Sequence, residues 1–455
     1  MATRIYRTST AGSTTTWTWS GWIKRAKVSS GNQTLFAGVT DGNNWTEAYF
    51  KSDDLLYIEN NDSSSITGRL ITSRKFRDLG AWMHIVVVWD TTNGTPGDRM
   101  RLYVNGVEET AFGTDTNPGS SQASILNEAS SVTSVGGHSL AAEDFYGEMS
   151  HIHFTDGYAY DASAFGETDA TSGIWKIKIS PSVTYGTNGF FMKMEDRTNL
   201  DLDSSSNAFT MTTSGTLTAT EDNPSNNFCT FNRLDRWLDT TNNYGDYLTK
   251  GNNTVTIGTS NKGLIRGTLG VESGKWYWEA QANSVSKGFY GMINYLAFTT
   301  STAPHNSTNK AGIYYYEGVP DFRYYSGAGE IATDAVSITA GDILIFALDM
   351  DNKAFYIGKN GTWMASGDPT SGSSKTGAIS EKFANPTAWT DSGPVFPATY
   401  VSSTTGSIDA DYNFGNGYFG TTAISSEGTN ASGIGKFEYD VPTGYTALST
   451  KGLNE

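Results

Sequence analysis

The chain has 455 residues, of which 47 are acidic and 31 are basic, and its formal net charge is −16. This length is too great for one ordinary domain and suits two or three, each large enough to bury a core of its own. The negative charge makes nucleic acid and acidic membrane surfaces unfavourable partners, because both are polyanions.

The composition predicts an almost entirely β protein. Aromatic residues make up 13% of the chain, Gly, Ser, Thr and Asn are abundant, and no long segment repeats apolar residues at helical spacing. Cys229 is the single cysteine, which excludes an intrachain disulfide and a cysteine-built zinc site. No apolar run is long enough to span a bilayer, and the start lacks a signal-peptide pattern, so we expect no membrane insertion.

The first predicted elements lie in the N-terminal quarter of the chain. In TWTWSGWIKR, Trp17 and Trp19 alternate with polar residues, which predicts a half-buried strand. The apolar centre of AWMHIVVVWD, residues 81–90, predicts a strand that is covered on both faces. DRMRLYVNGVEE then predicts a hairpin that turns at Asn105 and Gly106, because both residue types tolerate the positive φ of a tight turn.

The same elements return in the same order later in the chain. GKWYWEAQ again places two tryptophans, Trp276 and Trp278, on one face of a predicted strand. GDILIFALDMD, residues 341–351, corresponds to the strand covered on both faces, and KAFYIGKNGTW corresponds to the hairpin, with its turn at Asn360. The spacing from the first tryptophan to the turn is nearly the same in both sets. We therefore interpret the chain as two copies of one kind of sandwich.

These segments resemble, in their order, the domains of tailed-bacteriophage structural proteins. Residues 1–175, with TWTWSGWIKR, AWMHIVVVWD and HFTDGYAYDASAFGE, are similar to laminin-G/pentraxin-type, concanavalin A-like domains. Residues 176–244, with ISPSVTYGTNGFFMKMED and TEDNPSNNFCTFN, resemble the connector that follows such a domain. Residues 245–420, with GDILIFALDMDNKAFYIGKNG and GPVFPATYVSSTTGSIDADYNFG, resemble a SPRY domain, and residues 421–455, with YDVPTGYTALSTKGL, resemble its C-terminal extension.

The resemblance implies an all-β chain of two concanavalin A-like or jelly-roll antiparallel sandwiches, with the connector packed between them. It also implies a non-enzymatic virion protein on the tail or capsid surface, assembled in the host cytoplasm. Our interpretation is a tail fibre or appendage that recognises a host-surface glycan or protein through sandwich loops. The alternative is a capsid- or tail-decorating protein that has no receptor role.

The expected partners are other virion proteins and further copies of the same chain. A chain without disulfides gains stability when sandwich faces and edges are buried against identical copies, and phage appendages are commonly symmetric. We therefore expect a homo-oligomer, with a trimer favoured. A remote alternative is a laminarinase-like hydrolase, which would need two carboxylates on one strand face. The nearest candidates, Glu148 and Glu279, each stand alone on their strand.

Binding residues are predicted from a tyrosine-rich segment, GIYYYEGVPDFRYYSG. It contains more aromatic residues than one strand face buries, and exposed tyrosines suit stacking on a sugar or docking on a protein. The predicted ligand-binding residues are Tyr314, Tyr315, Tyr316, Tyr324 and Tyr325. An open alternative is that these rings belong to the core.

No cofactor is expected, with calcium left as an alternative. Related laminin-G domains hold calcium through acidic loops, so the resemblance implies Asp41 or Asp90 as its ligands here.

Overall fold

The structure is a computed structural model that describes residues 3–238, 247–258, 263–284, 288–294, 310–315, 322–325, 330–334, 337–382, 393–401 and 406–454. These residues consist almost entirely of strands and turns, which confirms the predicted all-β class. Within the described residues, no helix has the length and apolar character needed to cross a membrane. The chain divides into two compact units, Met1–Ala219 with Asn223–Ser225, and Thr220–Asp222 with Asn226–Glu455.

The strands of the first unit are numbered in chain order. They are β1 Arg4–Thr8, β2 Thr16–Arg25, β3 Gln33–Asp41, β4 Asn44–Phe50, β5 Leu56–Asp62, β6 Ser65–Thr72, β7 Met83–Asp90, β8 Met100–Val104, β9 Val107–Glu109, β10 Phe112–Thr116, β11 Val132–Val135, β12 Gly147–Asp156, β13 Gly166–Thr168, β14 Trp175–Ile177, β15 Phe190–Met192 and β16 Thr212–Ser214. Short 3-10 helices occur at Pro96–Asp98 and Ala162–Ala164.

Two antiparallel sheets form the sandwich of the first unit. The eight-stranded sheet has the order β10-β6-β5-β4-β3-β11-β1-β16, and the six-stranded sheet has the order β15-β12-β2-β7-β8-β9. Their facing sides share one apolar core, in which Trp19 of β2 stacks on Phe36 of β3 at a ring separation of 4.8 Å. The paired tryptophans of β2 therefore hold the two sheets together, because aromatic rings bury the largest apolar surface.

Strand β2 is buried on both faces, so the prediction of a half-buried strand was wrong. Its second face is covered by a segment that lies far along the chain. The Thr18 hydroxyl donates a hydrogen bond to the carbonyl of Tyr158 at 2.9 Å and accepts one from the backbone N–H of Tyr160 at 2.9 Å. The same covering segment packs Ala162 and Phe165 on strand β7. The prediction that residues 81–90 form a strand covered on both faces is confirmed for β7.

The strands of the second unit continue the numbering. They are β17 Phe231–Leu238, β18 Leu248–Thr249, β19 Thr254–Ile257, β20 Gly263–Gly267, β21 Lys275–Ser284, β22 Gly288–Asn294, β23 Lys310–Tyr315, β24 Phe322–Tyr325, β25 Glu330–Asp334, β26 Ile343–Asp349, β27 Ala354–Lys359, β28 Thr362–Trp363, β29 Val395–Val401, β30 Ile408–Asn413, β31 Tyr418–Phe419, β32 Thr422–Ala423 and β33 Thr446–Ala447. Short 3-10 helices occur at Met364–Ser366, Pro369–Ser374, Ile379–Lys382 and Gly452–Asn454.

The second unit is also a sandwich of two antiparallel sheets. One sheet has the order β17-β20-β29-β22-β23-β24-β25, and the other has the order β18-β19-β30-β21-β26-β27-β28. Trp278 of β21 and Tyr290 of β22 belong to the core between them. Strand β26 is buried on both faces, as its apolar sequence predicts.

The two units share one hairpin geometry down to single hydrogen bonds. Asn105 has φ 49° and Gly106 has φ 82°, and at the second hairpin Asn360 has φ 50° and Gly361 has φ 79°. In the first unit, Asn105 donates its backbone N–H to the carbonyl of His84 at 2.9 Å, and its side-chain Oδ1 accepts the N–H of His84 at 2.8 Å. We call this pair of bonds the asparagine clamp.

The second hairpin repeats the asparagine clamp with Ile343 in place of His84. The N–H of Asn360 donates to the carbonyl of Ile343 at 2.8 Å, and the Asn360 Oδ1 accepts the N–H of Ile343 at 2.8 Å. The clamp fixes the end of the doubly covered strand against the turn. The sequence repetition therefore corresponds to a repeated local structure.

The segments predicted as connector and extension are distributed between the units. Of the connector, residues 176–219 belong to the first unit, where β15 pairs with β12 and β16 pairs with β1. Of the extension, β33 pairs in parallel with β21, and Leu448 lies in the core of the second unit.

Candidate binding face on the first sheet

The outer face of the eight-stranded sheet, opposite to the core, carries a row of charged residues. Ala48 of β4 and Ile58 of β5 point into the core, so the alternation of a strand places their neighbours on the other face. There Glu47 of β4 lies directly opposite Glu59 of β5, and Glu59 lies opposite Arg69 of β6. Three adjacent strands thus bring two carboxyl groups and one guanidinium into a line.

Aromatic residues lie on both sides of this charged row. Trp45 comes two residues before Glu47 on β4, and Tyr49 comes two residues after it, so all three share the outer face. Tyr57 of β5 lies opposite Tyr49, and the two rings stack at 5.2 Å with an interplanar angle of 23°. Trp45 and Tyr57 are partly exposed. The outer face therefore offers flat apolar rings at both ends of a polar centre.

Glu59 organises the centre of the outer face. Its carboxylate pairs with Nε of Arg69 at 2.6 Å and accepts a hydrogen bond from the Tyr49 hydroxyl at 3.1 Å. Burial, followed by the negative charges of Glu59 and Glu47, raises the pKa of Tyr49, so its hydroxyl stays a proton donor. The Arg69 side chain is 34% exposed, whereas Glu59 is 3% exposed. Arg69 is consequently the charged group of the row that solvent reaches most easily.

Glu47 is a buried carboxyl group, and two of its neighbours, Glu59 and Glu143, are also acids. It is 4% exposed, and the Thr34 hydroxyl donates a hydrogen bond to it. Burial raises the pKa of Glu47 well above its usual range, and the charges of Glu143 and Glu59 raise it further, while the bond from Thr34 opposes them. Glu143 comes from the loop between β11 and β12 and accepts a hydrogen bond from Asn32 at 3.0 Å.

The pair Glu47 and Glu59 was not predicted from the sequence, because the two residues lie on different strands. The signal that finds them is the repeated alternation in two neighbouring strands, NWTEAYF and LYIENND, which pair with each other. Chemically, the face can stack sugar rings on Trp45 and Tyr57 and can donate hydrogen bonds from Arg69 to hydroxyl groups at its centre.

Glu279, one of the two carboxylates singled out in the sequence, serves as an anchor in the second unit. It is 0% exposed and accepts hydrogen bonds from the Tyr277 hydroxyl at 3.0 Å and from Asn413 Nδ2 at 3.2 Å. The backbone N–H groups of Glu438 and Tyr439 donate to it at 3.0 Å and 2.9 Å. Burial raises the pKa of Glu279 to about 7, against the effect of these four bonds.

The predicted tyrosine site falls largely beyond what the structure describes. Tyr316 lies outside the described residues, and strands β23 and β24 are described in their backbone. In the backbone register, Tyr314 pairs with Phe289, Tyr315 pairs with Gly288 and Phe322, and Tyr324 pairs with Ile313. Tyr325 follows a register shift and pairs with Glu330. A binding role for these tyrosines stays a prediction.

The two aspartates considered as calcium ligands both bond within turns. Asp41 Oδ1 accepts the backbone N–H of Asn43 at 2.7 Å, and its carboxylate also bonds the Asn44 amide. Those bonds lower the pKa of Asp41. Asp90 Oδ1 accepts the N–H of Thr92 at 3.2 Å and its hydroxyl at 2.5 Å. In the part of the chain that the structure describes, no three His, Cys, Asp or Glu side chains are grouped to hold a metal ion.

Sequence comparison places the outer face within a known kind of domain. Residues 4–159 match a laminin G family model described as the concanavalin A-like lectin/glucanases superfamily. This range includes all strands from β1 to β12, and it therefore contains Glu47, Glu59 and their aromatic neighbours. No curated protein matches the chain in sequence.

Comparison with solved structures finds similar chains at low sequence identity and low TM-score. The SPRY domain of human HERC1 is 17% identical, with 40% of this chain and 96% of that chain covered and a TM-score of 0.27. The heptameric SAP-like pentraxin of Limulus polyphemus is 22% identical, with 34% and 69% covered and a TM-score of 0.26. Domains LG4-5 of the mouse laminin alpha1 chain are 9% identical, with 90% and 84% covered and a TM-score of 0.28.

Proposed function

We propose that this protein is a non-enzymatic structural protein of a tailed-phage particle that recognises a glycan on the host surface through the outer face of its first sheet. The observation that carries the binding role is the placement of two partly exposed rings, Trp45 and Tyr57, beside the row of Glu47, Glu59 and Arg69, in which Glu59 and Arg69 form an ion pair. The phage particle itself is supported by the resemblance of the segment order in the sequence.

The physical cost of the row supports a binding role. Taking an ionised carboxylate out of water costs several kcal/mol in real proteins, and the raised pKa of Glu47 reflects that cost, so a buried pair such as Glu47 and Glu59 is an expensive way to stabilise a sheet. Arg69, which its pair with Glu59 holds in place on a rigid strand and which is 34% exposed, can meet sugar hydroxyls without further ordering, which lowers the entropic cost of binding.

The same geometry supports binding rather than hydrolysis. Glycoside hydrolysis needs two carboxyl groups that flank a scissile bond and can reach the substrate. Glu47 and Glu59 lie on adjacent strands, but they are 4% and 3% exposed and are engaged by Thr34, Arg69 and Tyr49. We therefore assign these carboxyl groups a positioning role, in which Glu59 holds the side chains of Arg69 and Tyr49 in place.

The place in the particle and the assembly state form part of the proposal. A homo-oligomer, most simply a trimer, would present several outer faces together, and several weak glycan contacts then add up to tight adsorption. Contacts with other virion proteins would hold the assembly on the tail or capsid surface.

The test is glycan binding by variants that remove one exposed ring each. The purified full-length protein is applied to an array of glucose, N-acetylglucosamine, galactose and mannose hexamers. Trp45→Ala and Tyr57→Ala should each cost about 1 to 2 kcal/mol of affinity for the bound hexamer, because each removes a stacking surface. Tyr158→Ala is the matched control, since Tyr158 is 40% exposed in the same unit but lies outside the outer face.

Thermal unfolding of all three variants, recorded in parallel, separates lost binding from lost folding. If both ring variants remain folded and bind as well as the control, the outer face is not the binding site.

A further inference from the structure

We infer that Asn93 is a site of spontaneous covalent modification, at which water converts the side-chain amide to an acid. Asn-Gly pairs are reactive in this way because glycine has no side chain to shield its nitrogen. The sequence contains five such pairs, which begin at Asn93, Asn105, Asn188, Asn360 and Asn416. Among these pairs, all of which the structure describes, Asn93 alone combines a favourable geometry with open surroundings. The modification does not depend on the proposed glycan-binding function.

The reaction joins the backbone nitrogen of the glycine to the side-chain carbonyl carbon of the asparagine. The Gly94 nitrogen gives up its proton and attacks Cγ of Asn93. The bond between Cγ and Nδ2 breaks, and Nδ2 takes up that proton and leaves as ammonia. The product is a succinimide ring that contains both carbonyl groups of Asn93. Water then adds to one of these carbonyls and reopens the ring as aspartate or isoaspartate.

A hydrogen bond in the loop between β7 and β8 brings the reacting atoms together. Asn93 Oδ1 accepts the backbone N–H of Thr95 at 2.9 Å. The turn closed by this bond contains both Cγ of Asn93 and the nitrogen of Gly94, so the nucleophile stays next to the carbon that it attacks. The Thr95 N–H also stabilises the negative charge that develops on Oδ1 during the attack.

The nucleophile and the leaving group are both unengaged in this loop. Among the described residues, neither Nδ2 of Asn93 nor the N–H of Gly94 has a hydrogen-bond partner. Gly94 is exposed, and a Cβ placed on it would meet no heavy atom within 4 Å. The succinimide ring can therefore form without displacing a neighbour of Gly94.

The two hairpin pairs are held by the asparagine clamp. Oδ1 of Asn105 and Oδ1 of Asn360 each accept an N–H from a doubly covered strand, which directs the side chain across the turn and not along the following peptide. A Cβ placed on Gly106 would lie 2.4 Å from the Trp175 ring, so the first hairpin also leaves little space beside its glycine.

The two remaining pairs are protected by burial. Asn188 is buried, and its Nδ2 donates to the carbonyl of Thr10 at 2.8 Å, which holds the leaving group. Asn416 is also buried, and the N–H of Gly417 donates to Oδ1 of Asn413 at 3.1 Å, which opposes loss of that proton. Both pairs must open locally before they can react.

Arg99 directs the reopening of the ring at Asn93. Its Nε donates to the backbone carbonyl oxygen of Asn93 at 3.0 Å. A cation at this oxygen favours attack of water on the backbone carbonyl carbon, because it stabilises the charge that develops there. The bond from that carbon to the Gly94 nitrogen breaks, the nitrogen recovers a proton from the water, and the chain continues through Cγ. The main product is isoaspartate, whose free carboxylate pairs with Arg99.

The test is mass spectrometry of the full-length protein after incubation in a mildly alkaline buffer. Digestion in acid stops the reaction, and the peptides report each pair through the mass gain that accompanies conversion of an amide to an acid. In the folded protein, Asn93 should react at least about tenfold faster than the other asparagines, which react after local opening. In denaturant the rates should become similar, because glycine follows each asparagine. An Asn93 that reacts no faster than the others in the folded protein would overturn the inference.

Two glycine variants in the same loop test the mechanism. Gly94→Ala adds a methyl group beside the attacking nitrogen, in open space, so it should slow the reaction at Asn93 at least about tenfold. Gly97→Ala makes the same change in equally open space, at a residue that does not follow an asparagine, and should leave the rate unchanged. Equal rates in the two variants would contradict attack by the Gly94 nitrogen.

Arg99→Gln tests the direction of the ring opening. Fragmentation by electron transfer distinguishes isoaspartate from aspartate at position 93, and the ratio of the two should fall at least about twofold when the cation is removed. Arg99→Lys keeps a cation near the carbonyl and should retain more of the isoaspartate. If the ratio is the same in both variants as in the wild type, Arg99 does not direct the opening.

Discussion

Glu279 is the residue whose ionisation should control the pH dependence of the second unit. Its pKa in the folded protein is about 7, above the usual glutamate value of 4.5, so the folded protein keeps a proton that the unfolded chain loses between these values. The stabilising contribution of this group is full below about pH 4.5 and is lost as the pH rises through 7.

The corresponding measurement compares urea unfolding at pH 5 and pH 8. At about 1.4 kcal/mol per pH unit, Glu279 should lower the free energy of unfolding by about 2 to 3 kcal/mol over this range. Glu279→Gln should lose that part of the pH dependence, whatever its basal stability. An identical difference between the two pH values in the variant and the wild type would contradict the raised pKa.

The partners of single buried glutamates could not be predicted from the sequence. Glu279 stands out in GKWYWEAQ, but its hydrogen-bond donors at Glu438 and Tyr439 lie about 160 positions away, and no local pattern connects them. Glu47 and Glu59 were missed for a related reason. A single charged residue on the polar face of a strand is common. Whether it forms part of a site depends on which strand pairs beside it, and the sequence of one strand does not show that.

At the scale of elements, the asparagine clamp makes the two hairpins comparable. Asn105→Ala and Asn360→Ala should each destabilise the protein by about 1 to 3 kcal/mol, because a strand N–H loses its acceptor and alanine tolerates a positive φ poorly. The matched variants Asn105→Gly and Asn360→Gly keep the turn and lose the side-chain bond, so they should cost less. Urea unfolding of the four variants checks this order. If the alanine variants lose no more free energy of unfolding than the glycine variants, the asparagine clamp is refuted.

The tyrosine segment can be tested as an element of the second sheet. In the backbone register, Tyr324 shares a ladder row with Ile313 and with Tyr290, a core residue. If the alternative that these rings belong to the core holds, Tyr324→Ala should lower the free energy of unfolding by about 3 kcal/mol. Tyr315→Ala belongs in the same experiment. Unchanged unfolding together with weaker glycan binding would instead support the predicted tyrosine site.

Elements with strong local signals were predicted well. The two doubly covered strands were recognised from unbroken apolar runs, and both hairpins from Asn-Gly turns, because these features depend on a few adjacent residues. The burial of both faces of β2 was not predicted, since its covering residues follow β12. Predicting the outer face would have required the order of the strands in the sheet, which the periodicity of the sequence does not reveal.

At the scale of the whole molecule, the expected assembly is a trimer. Sheet edges such as β10 and β16 end the eight-stranded sheet and leave backbone groups that another chain can pair with or cover. Light scattering of the purified protein at micromolar concentration should give about three times the 49.1 kDa mass of one chain. A mass equal to a single chain would contradict this part of the proposal.

The central claim, that the outer face of the first sheet is the glycan-binding site, is tested most directly by hydrogen–deuterium exchange. The full-length protein is measured with and without a saturating amount of the neutral hexamer that binds best on the array. The account predicts slower exchange in peptides from β4, β5 and β6, residues 44–72, where Trp45, Tyr57 and Arg69 lie. Protection confined to residues 310–325, or to loops outside the first sheet, would contradict it.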